Sequence, residues 1–184
     1  YVQLHGTTGV KDKLTHAGIY GIDMSVNTLE DLLDEDIDYY LRLNFSTLTK
    51  SIDLIGGIDV YSDKTFTSYV NKNITITEGM NHMNGEEALA FARERHAYST
   101  GDRHRGENQQ AIITAMINKL ADVSNITKYK DILSSLDGTF ETSMSYEELT
   151  NLFKLQIDKK INWDISSISL DGSGSMQNTY SMGN

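Results

Sequence analysis

The sequence predicts an α/β fold, a mixed central sheet sandwiched by helices, and two kinds of pattern lead to that prediction. Short stretches rich in β-branched residues, at 58–61 and 74–77, are typical of strands. Between such stretches lie segments with apolar residues at helical spacing, the longest of them over 103–120. Because strands alternate with helices along the chain, layers of helix and sheet are favoured over an all-helical bundle.

The first half of the chain is expected to contain two helices separated by a strand. Ser25 is predicted to cap a helix over 26–33, because its hydroxyl precedes a leucine-rich apolar stripe. Alternation over 38–45 predicts a strand. Ser46 is then predicted to cap a second helix, which the pair Gly56-Gly57 ends.

After residue 80 the chain contains two capping-box patterns, in which a polar residue and a glutamate three positions later satisfy each other's backbone N–H groups. The first pairs Asn84 with Glu87, and the second pairs Ser145 with Glu148. Each precedes an apolar run at helical spacing, so each predicts the start of a helix. The alternating residues over 163–170 predict a closing strand.

The length of 184 residues suits one domain with a sizeable core, and the chain is interpreted as a single domain over 1–184. No apolar run approaches the ~20 residues that a membrane helix needs. The start, Tyr1-Val2-Gln3-Leu4, is typical of a strand entered within a domain. The chain is therefore expected to be a fragment that lacks its N-terminal strands, with truncation at the C-terminus left open.

The charge balance excludes several classes of function. Sixteen Lys and Arg against 26 Asp and Glu give a net charge of −10, so the field of the whole protein repels nucleic acid. The absence of Cys excludes a thiol nucleophile and Cys-ligated zinc. No serine-hydrolase elbow, P-loop or dinucleotide-binding motif occurs in the sequence.

Arginine is the residue type whose distribution points to a site. The chain has five arginines, and four of them fall within 93–105. Guanidinium groups bind phosphate through two parallel hydrogen bonds, so this cluster is a candidate anion site. A surface loop held by salt bridges is an equally simple interpretation, because four carboxylates lie nearby in the sequence: Glu87, Glu94, Asp102 and Glu107.

Helical spacing places part of this cluster on one stripe. If the helix begins near residue 103, Asp102, Arg105 and Gln109 lie at i, i+3 and i+7. The stripe continues into apolar residues, so it would suit a ligand with an anionic head and a hydrocarbon tail. The alternative is that the apolar part is the core face of the helix. The apolar residues in question are Ile112, Ile113 and Met116.

The position at which the preceding helix ends decides where two further arginines point. In a continuous helix Arg93 and Arg95 would point about 200° apart, whereas in extended chain they share a face. The helix over 88–92 is predicted to end near Ala92. Both guanidinium groups could then converge with Arg105 on one anion.

At these residues the sequence resembles a known family. Residues 88–96, ALAFARERH, followed by Gly101-Asp102-x-x-Arg105-x-x-Asn108-Gln109-Gln110, are similar to the signature of the LytR-CpsA-Psr domain. Residues 13–17 and 56–60 and the segment after Trp163 match the usual order of that domain. The resemblance covers nearly the whole chain.

The resemblance implies an extracytoplasmic transferase, anchored in the cell membrane by an N-terminal helix and facing the cell wall. Such an enzyme is a phosphotransferase that moves polyprenyl-pyrophosphate-linked glycopolymers, such as teichoic acid or capsular polysaccharide, onto peptidoglycan. Magnesium (Mg²⁺) is its expected cofactor. Family members carry metal-binding residues on strands upstream of Tyr1, so the ligands of the metal in this chain stay unknown and activity of the fragment stays open.

The resemblance also implies roles for individual residues. Arg93, Arg95 and Arg105, with Gln109, are expected to bind the pyrophosphate, and Asp102 is expected in the same catalytic site. The lipid tail is expected in an apolar tunnel that begins beside Arg105. Many members have a third motif arginine where this chain has an asparagine, to which no anion-binding role is transferred. The expected tunnel residues are Ile112, Ile113 and Met116, and the asparagine is Asn108.

Two other functions compete with that of a transferase. A non-catalytic module that binds an anionic lipid carrier or glycopolymer would use the same arginines without cleaving a bond. A transcription attenuator is the least favoured function, because the chain is acidic and contains no DNA-reading motif.

Overall fold

The computed structural model describes residues 1–122, 140–166 and 176–181. The described residues fall into two compact units, one formed by 1–40 with 176–181 and the other by 41–122 with 140–166. A short 3₁₀ helix spans Leu14–Tyr20. The α-helices are α1 (Ile22–Leu33), α2 (Phe45–Leu54), α3 (Gly85–Arg93), α4 (Asp102–Ala121) and α5 (Tyr146–Lys159).

Short strands alternate with these helices, which confirms the α/β class. They are β1 (Leu41–Leu43), β2 (Ile58–Ser62), β3 (Phe66–Thr67), β4 (Thr75–Ile76), β5 (Gly79–Met83) and β6 (Phe140–Thr142). Within the described ranges they pair as three two-stranded antiparallel sheets, β1 with β6, β2 with β5 and β3 with β4. No described helix is both long and apolar enough to cross a membrane.

The core of the larger unit lies between the antiparallel pair of strands β2 and β5 and the helices α2, α3 and α4. Along β2, Ile58 and Val60 are buried while Asp59 and Tyr61 are exposed, the alternation expected when one sheet face packs against helices. Phe91 of α3 and Ile112 of α4 complete this cluster. The packing of α3 against α4 therefore belongs to the core, and it brings the two arginine-bearing segments together.

Helix α3 begins and ends where the sequence predicts. The Asn84 side chain accepts a hydrogen bond from the Glu87 N–H (3.0 Å), and the Glu87 carboxylate accepts one from the Asn84 N–H (2.9 Å). The helix ends at Arg93, one residue after the predicted end, and Glu94 is extended (φ −69°, ψ 133°). A Cβ at Gly85 would clash with the Thr49 backbone, so glycine permits the close approach of α2 to α3.

Two predicted helix starts are wrong. Helix α1 begins at Ile22 rather than at 26, after Gly21 (φ 108°), and the Ser25 hydroxyl lies inside its first turn. Helix α2 is capped by Asn44 rather than Ser46, because Asn44 Oδ1 accepts a hydrogen bond from the Thr47 N–H (2.8 Å). This cap ends the strand predicted over 38–45 at Leu43, and residues 38–40 are not in a strand, so β1 has three residues.

The predicted closing strand is absent from its described part. Residues 163–166 are not in a strand, and 167–170 lie outside the described residues. The Trp163 indole N–H instead donates to Gln156 Oε1 (2.8 Å). Gln156 in turn donates to the carbonyls of Ala121 (2.9 Å) and Ile161 (3.0 Å). The buried Gln156 amide therefore joins the end of α4, the segment after α5 and Trp163 through side-chain hydrogen bonds.

In the smaller unit, a buried carboxylate joins the described tail to the N-terminal segment. Asp12 accepts hydrogen bonds from the N–H groups of Ser181 (2.8 Å) and Lys13 (2.7 Å), and it contacts His16 Nδ1 (2.7 Å). Burial alone would raise the pKa of Asp12, but these hydrogen bonds outweigh it and lower the pKa to about 2.

This lowered pKa predicts an acid-sensitive attachment of the tail. Because folding lowers the pKa of Asp12 from 3.8 to about 2, its contribution to stability is complete above 3.8 and is lost as the pH falls through about 2. Amide exchange of Ser181 measures this loss directly. Asp12→Asn should expose the Ser181 amide already at neutral pH. A Ser181 amide whose protection is the same in both proteins would contradict the prediction.

Candidate functional site

Three arginines and a glutamine line one cavity of about 490 Å³ in the larger unit, which we call the arginine cavity. These are the four residues that the sequence predicts to face a common cavity. Two aromatic residues, a valine and a histidine complete the lining. The full set is Phe45, Tyr69, Val70, Arg93, Arg95, His96, Arg105 and Gln109.

The end of α3 and the start of α4 position these side chains. Arg93 is the last residue of α3, and Arg95 follows in extended chain, so the two side chains can share a face. Arg105 and Gln109 lie one turn apart near the start of α4. Arg93 and Arg95 can face the same cavity because α3 ends at Arg93 and the chain is extended at Glu94.

Two side-chain amides of α4 donate hydrogen bonds to carbonyl groups at the end of α3. Asn108 Nδ2 donates to the Phe91 carbonyl (3.1 Å), and Gln109 Nε2 donates to the Ala92 carbonyl (3.4 Å). The last carbonyls of a helix have no partner within it, so these bonds stabilise the helix end where the arginines begin. Asn108 is buried and therefore has a structural role, at the position where the family resemblance did not transfer an anion-binding one.

Asp102 lies between two of the guanidinium groups. Its Oδ1 is 3.6 Å from Arg95 Nη1 and 3.5 Å from Arg105 Nη2. These ion pairs are long and their side chains are substantially exposed, so each is worth about 1 kcal/mol or less. Arg93 places its guanidinium carbon 5.0 Å from the centre of the Phe45 ring, a cation–π contact. A stronger anion could therefore displace Asp102 without breaking a buried interaction.

Glu94 is the site residue whose role the sequence analysis missed. It is one of the four carboxylates expected in a salt-bridged surface loop, yet its side chain is buried and accepts hydrogen bonds from four backbone N–H groups. Burial alone would raise the pKa of its carboxyl, but the N–H groups of Tyr69, His96, Ala97 and Arg95 outweigh it and lower the pKa. Nothing in the neighbouring sequence indicates that Glu94 is buried, because it is a charged residue between two arginines, Arg93 and Arg95, that are both exposed.

The salt-bridged interpretation holds for another part of the arginine cluster. Arg103 lies 3.6 Å from Glu107, and His104 lies 3.1 Å from the same carboxylate. Tyr98 stacks on His104 (3.3 Å between ring centres) and donates its hydroxyl to Asp63 (2.8 Å). Burial, with the bond to Asp63, raises the pKa of Tyr98 to about 12. None of these side chains lines the arginine cavity, so the cluster divides between two environments.

An apolar cavity of about 220 Å³ adjoins the arginine cavity and shares Phe45, Arg93 and Gln109 with it. Ile112 and Ile113 line it as predicted. Two details of the prediction are wrong: the cavity begins beside Arg93 and Gln109 rather than Arg105, and Met116 is not in its lining. Met116 packs against the buried core cluster, because that turn of α4 faces the core. The remaining lining is Leu43, Asn44, Leu48, Leu89 and Ala92.

Curated relatives are identical to this chain at about a third of the aligned positions. The TagU proteins of Bacillus subtilis (strain 168) and Bacillus anthracis, each named polyisoprenyl-teichoic acid–peptidoglycan teichoic acid transferase, are 33% identical over 153 residues and 32% over 173. These alignments cover 83% and 94% of this chain, and 48% and 56% of the relatives. The chain thus spans about half the length of the curated relatives it matches.

Solved structures share the fold. The crystal structure of B. subtilis TagV superposes with a TM-score of 0.74 at 36% identity, covering 88% of this chain and 64% of that chain. B. subtilis TagU gives 0.72 at 30% identity, over 95% and 71% of the two chains. A structure described as TagT bound to LIIa-WTA gives 0.70 at 27% identity, over 85% and 59%.

The match to a family model is the most extensive of these similarities. The model of the LytR_cpsA_psr family matches residues 1–184, the whole chain. The three arginines and the glutamine of the arginine cavity lie in the segment whose motif resembles that family. The chain belongs to the LytR-CpsA-Psr family.

Proposed function

We propose that this protein transfers polyprenyl-pyrophosphate-linked glycopolymers, teichoic acid or capsular polysaccharide, to peptidoglycan. The observation that carries the proposal is the convergence of Arg93, Arg95 and Arg105 on one cavity of a protein with net charge −10. Such a local cationic site selects a compact polyanion, and pyrophosphate is one. The names of the TagU relatives and of the TagT complex support a teichoic acid as the donated polymer.

The reaction requires charge stabilisation more than covalent chemistry. A sugar hydroxyl of peptidoglycan attacks the phosphorus that carries the glycopolymer, and the bond from this phosphorus to the bridging oxygen breaks. Polyprenyl phosphate leaves with the electron pair of that bond, and the hydroxyl proton is released. Negative charge grows on the leaving phosphate, where guanidinium groups fixed in advance lower the barrier. The three arginines of the cavity are the groups that supply this stabilisation.

Asp102 and Gln109 prepare the cavity for that charge. Before a ligand binds, Asp102 keeps the guanidinium groups of Arg95 and Arg105 close together despite their mutual repulsion. Gln109 lines the cavity while its amide binds the α3 carbonyl of Ala92, so its position is fixed by the helix end. In this proposal Arg93, Arg95 and Arg105 contact the pyrophosphate, and Asp102 yields its place to phosphate oxygens.

The apolar cavity offers a place for the first carbons of the polyprenyl chain. It shares three lining residues with the arginine cavity, so a ligand with its pyrophosphate among the arginines has an adjacent apolar surface. Ile113 is 56% exposed, which leaves apolar area for a hydrocarbon tail to cover. Head and tail of the ligand would thus contact consecutive turns of α4.

Magnesium is part of the proposal as an ion brought to the site with the pyrophosphate. Phosphate oxygens are hard donors, and Mg²⁺ usually adds one or two carboxylates to them. Within the described ranges no group of three or more His, Asp or Glu side chains is placed to hold a metal. Asp102 fits as a single carboxylate ligand, and the bound ion would add positive charge beside the phosphates. The arginine chemistry above does not depend on it.

The proposed reaction also implies where the protein is located. We place it outside the cytoplasm, attached to the membrane through an N-terminal anchor, because both its lipid-linked donor and its peptidoglycan acceptor are found there. Release of polyprenyl phosphate by the full-length protein, given donor and peptidoglycan, tests the proposed function. Donor binding without release would instead support the non-catalytic binding module.

Arg105→Lys is the substitution predicted to weaken pyrophosphate binding with least effect on the fold. Lysine keeps the charge but loses the two-pronged geometry, so affinity for a polyprenyl pyrophosphate should fall about ten- to hundredfold, as for a lost charge-assisted hydrogen bond of roughly 1.5–3 kcal/mol. Arg103→Lys is the matched control, because Arg103 lies on the same helix and pairs with Glu107. Equal affinity in both variants would remove Arg105 from the site.

Ile113→Asn is predicted to separate recognition of the tail from recognition of the head. Loss of a buried apolar contact of roughly 1.5–3 kcal/mol should weaken binding of a polyprenyl pyrophosphate about tenfold or more. Affinity for inorganic pyrophosphate, which has no tail, should stay unchanged. Ile117→Asn is the control, since Ile117 is exposed on the same helix but does not line the cavity. A parallel loss for both ligands would show that the apolar cavity holds no tail.

A further inference from the structure

The carboxylate of Glu94 binds both walls of the arginine cavity. Only 1% of the residue is exposed. Its Oε1 accepts the N–H groups of Arg95 (3.1 Å), His96 (2.7 Å) and Ala97 (3.1 Å), and its Oε2 accepts the N–H of Tyr69 (2.9 Å). Arg95 and His96 line one wall of the cavity, and Tyr69 lines the other.

The two carboxylate oxygens have separate structural consequences. Oε1 fixes the turn after α3, and that turn sets the direction in which Arg95 and His96 leave the backbone. Oε2 fixes the loop 68–71, where the Ser68 hydroxyl also accepts the N–H groups of Val70 (3.2 Å) and Asn71 (3.3 Å). The Tyr69 and His96 rings then meet at 4.0 Å between their centres. One side chain therefore keeps the two walls in contact.

The charge of Glu94 is balanced by backbone dipoles and not by the neighbouring arginines. No Lys or Arg among the described residues forms an ion pair with it, although it lies between Arg93 and Arg95 in the sequence. A buried carboxylate with four N–H donors is satisfied without a cation. The guanidinium groups thus stay available for a ligand.

We propose that Glu94 is a positioning residue for the pyrophosphate site, holding the Arg95–His96 wall and the Tyr69–Val70 wall at the separation that the ligand requires. This inference rests on the proposed function of the arginine cavity. It assigns to Glu94 an action through backbone groups, without contact to the ligand. The lowered pKa of its carboxyl keeps the anion, which is the form that accepts all four hydrogen bonds, present below the ordinary pKa of 4.5.

Glu94→Gln separates the two halves of this role. The amide oxygen of glutamine can take the position with three N–H donors, which places the amide NH₂ opposite the Tyr69 N–H, donor against donor. Amide exchange of Tyr69 should then become about tenfold faster or more, while the amides of Arg95, His96 and Ala97 change less. Equal exchange at all four amides in the variant and the wild type would overturn the proposal.

Glu94→Ala, compared with Glu87→Ala, separates positioning from stability. Glu87 lies in the first turn of α3, the helix that ends just before Glu94, and it contributes to the N-terminal cap, so its variant loses stability without changing a residue that lines the cavity. In titrations with inorganic pyrophosphate, Glu94→Ala should bind roughly tenfold more weakly than Glu87→Ala, because displaced arginines lose their hydrogen-bond geometry. If Glu94 were merely a negative charge near the arginines, its removal would tighten binding instead. Unchanged or tighter binding therefore overturns the positioning role.

The same titration distinguishes this inference from the function on which it rests. Wild-type protein that does not bind pyrophosphate would overturn the proposed function and the positioning role together. Wild-type binding with no loss in Glu94→Ala would overturn the positioning role alone. If Glu94→Ala does not fold, Glu94→Gln carries both measurements, with a weaker pyrophosphate affinity expected than in Glu87→Ala.

Discussion

Three guanidinium groups share one cavity, and their mutual repulsion is the constraint that the surrounding structure has to meet. Each group has a different partner: Asp102 lies between Arg95 and Arg105, and the Phe45 ring lies beneath Arg93. These partners are weak and exposed, so they hold the arginines without neutralising them. The backbone is held separately, by hydrogen bonds from the amides of Asn108 and Gln109 to carbonyls at the end of α3. The contacts that position the backbone are therefore distinct from those that a ligand would displace.

Weakly paired guanidinium groups on a well-held backbone suit a site that must bind a highly charged group and then release it. A buried, well-paired arginine would have little interaction left for a phosphate, and an unsupported one would pay an entropic cost on binding. The apolar cavity beside the arginines is likewise open to the lipid part of a ligand, since Ile113 is half exposed next to the cationic surface. Polar and apolar recognition are thereby placed on successive turns of one helix.

Sequence patterns predicted the features that depend on short spacing. The stripe of Asp102, Arg105 and Gln109 and both capping boxes needed only helical periodicity, and the structure shows each of them. Prediction was weaker where two polar residues compete for one role, as with Asn44 and Ser46 at the start of α2. It had no access to tertiary contacts, so the buried carboxylate of Glu94 could not be foreseen, and the core-face alternative, which holds for Met116, could not be distinguished from an apolar tunnel. The missed strand β5 contains Gly79 and Asn81, which have low strand propensity, and it forms through pairing with β2.

The central claim is that the arginines of the cavity bind the pyrophosphate of a lipid-linked ligand while the adjoining apolar surface receives its tail. A crystal structure of the protein with a short-chain polyprenyl pyrophosphate tests it most directly. We expect phosphate oxygens within hydrogen-bond distance of Arg93, Arg95 and Arg105, Asp102 displaced from at least one of its arginines, and the first carbons of the tail against Ile113. Phosphates bound elsewhere, with the ion pairs of Asp102 intact, would contradict the claim.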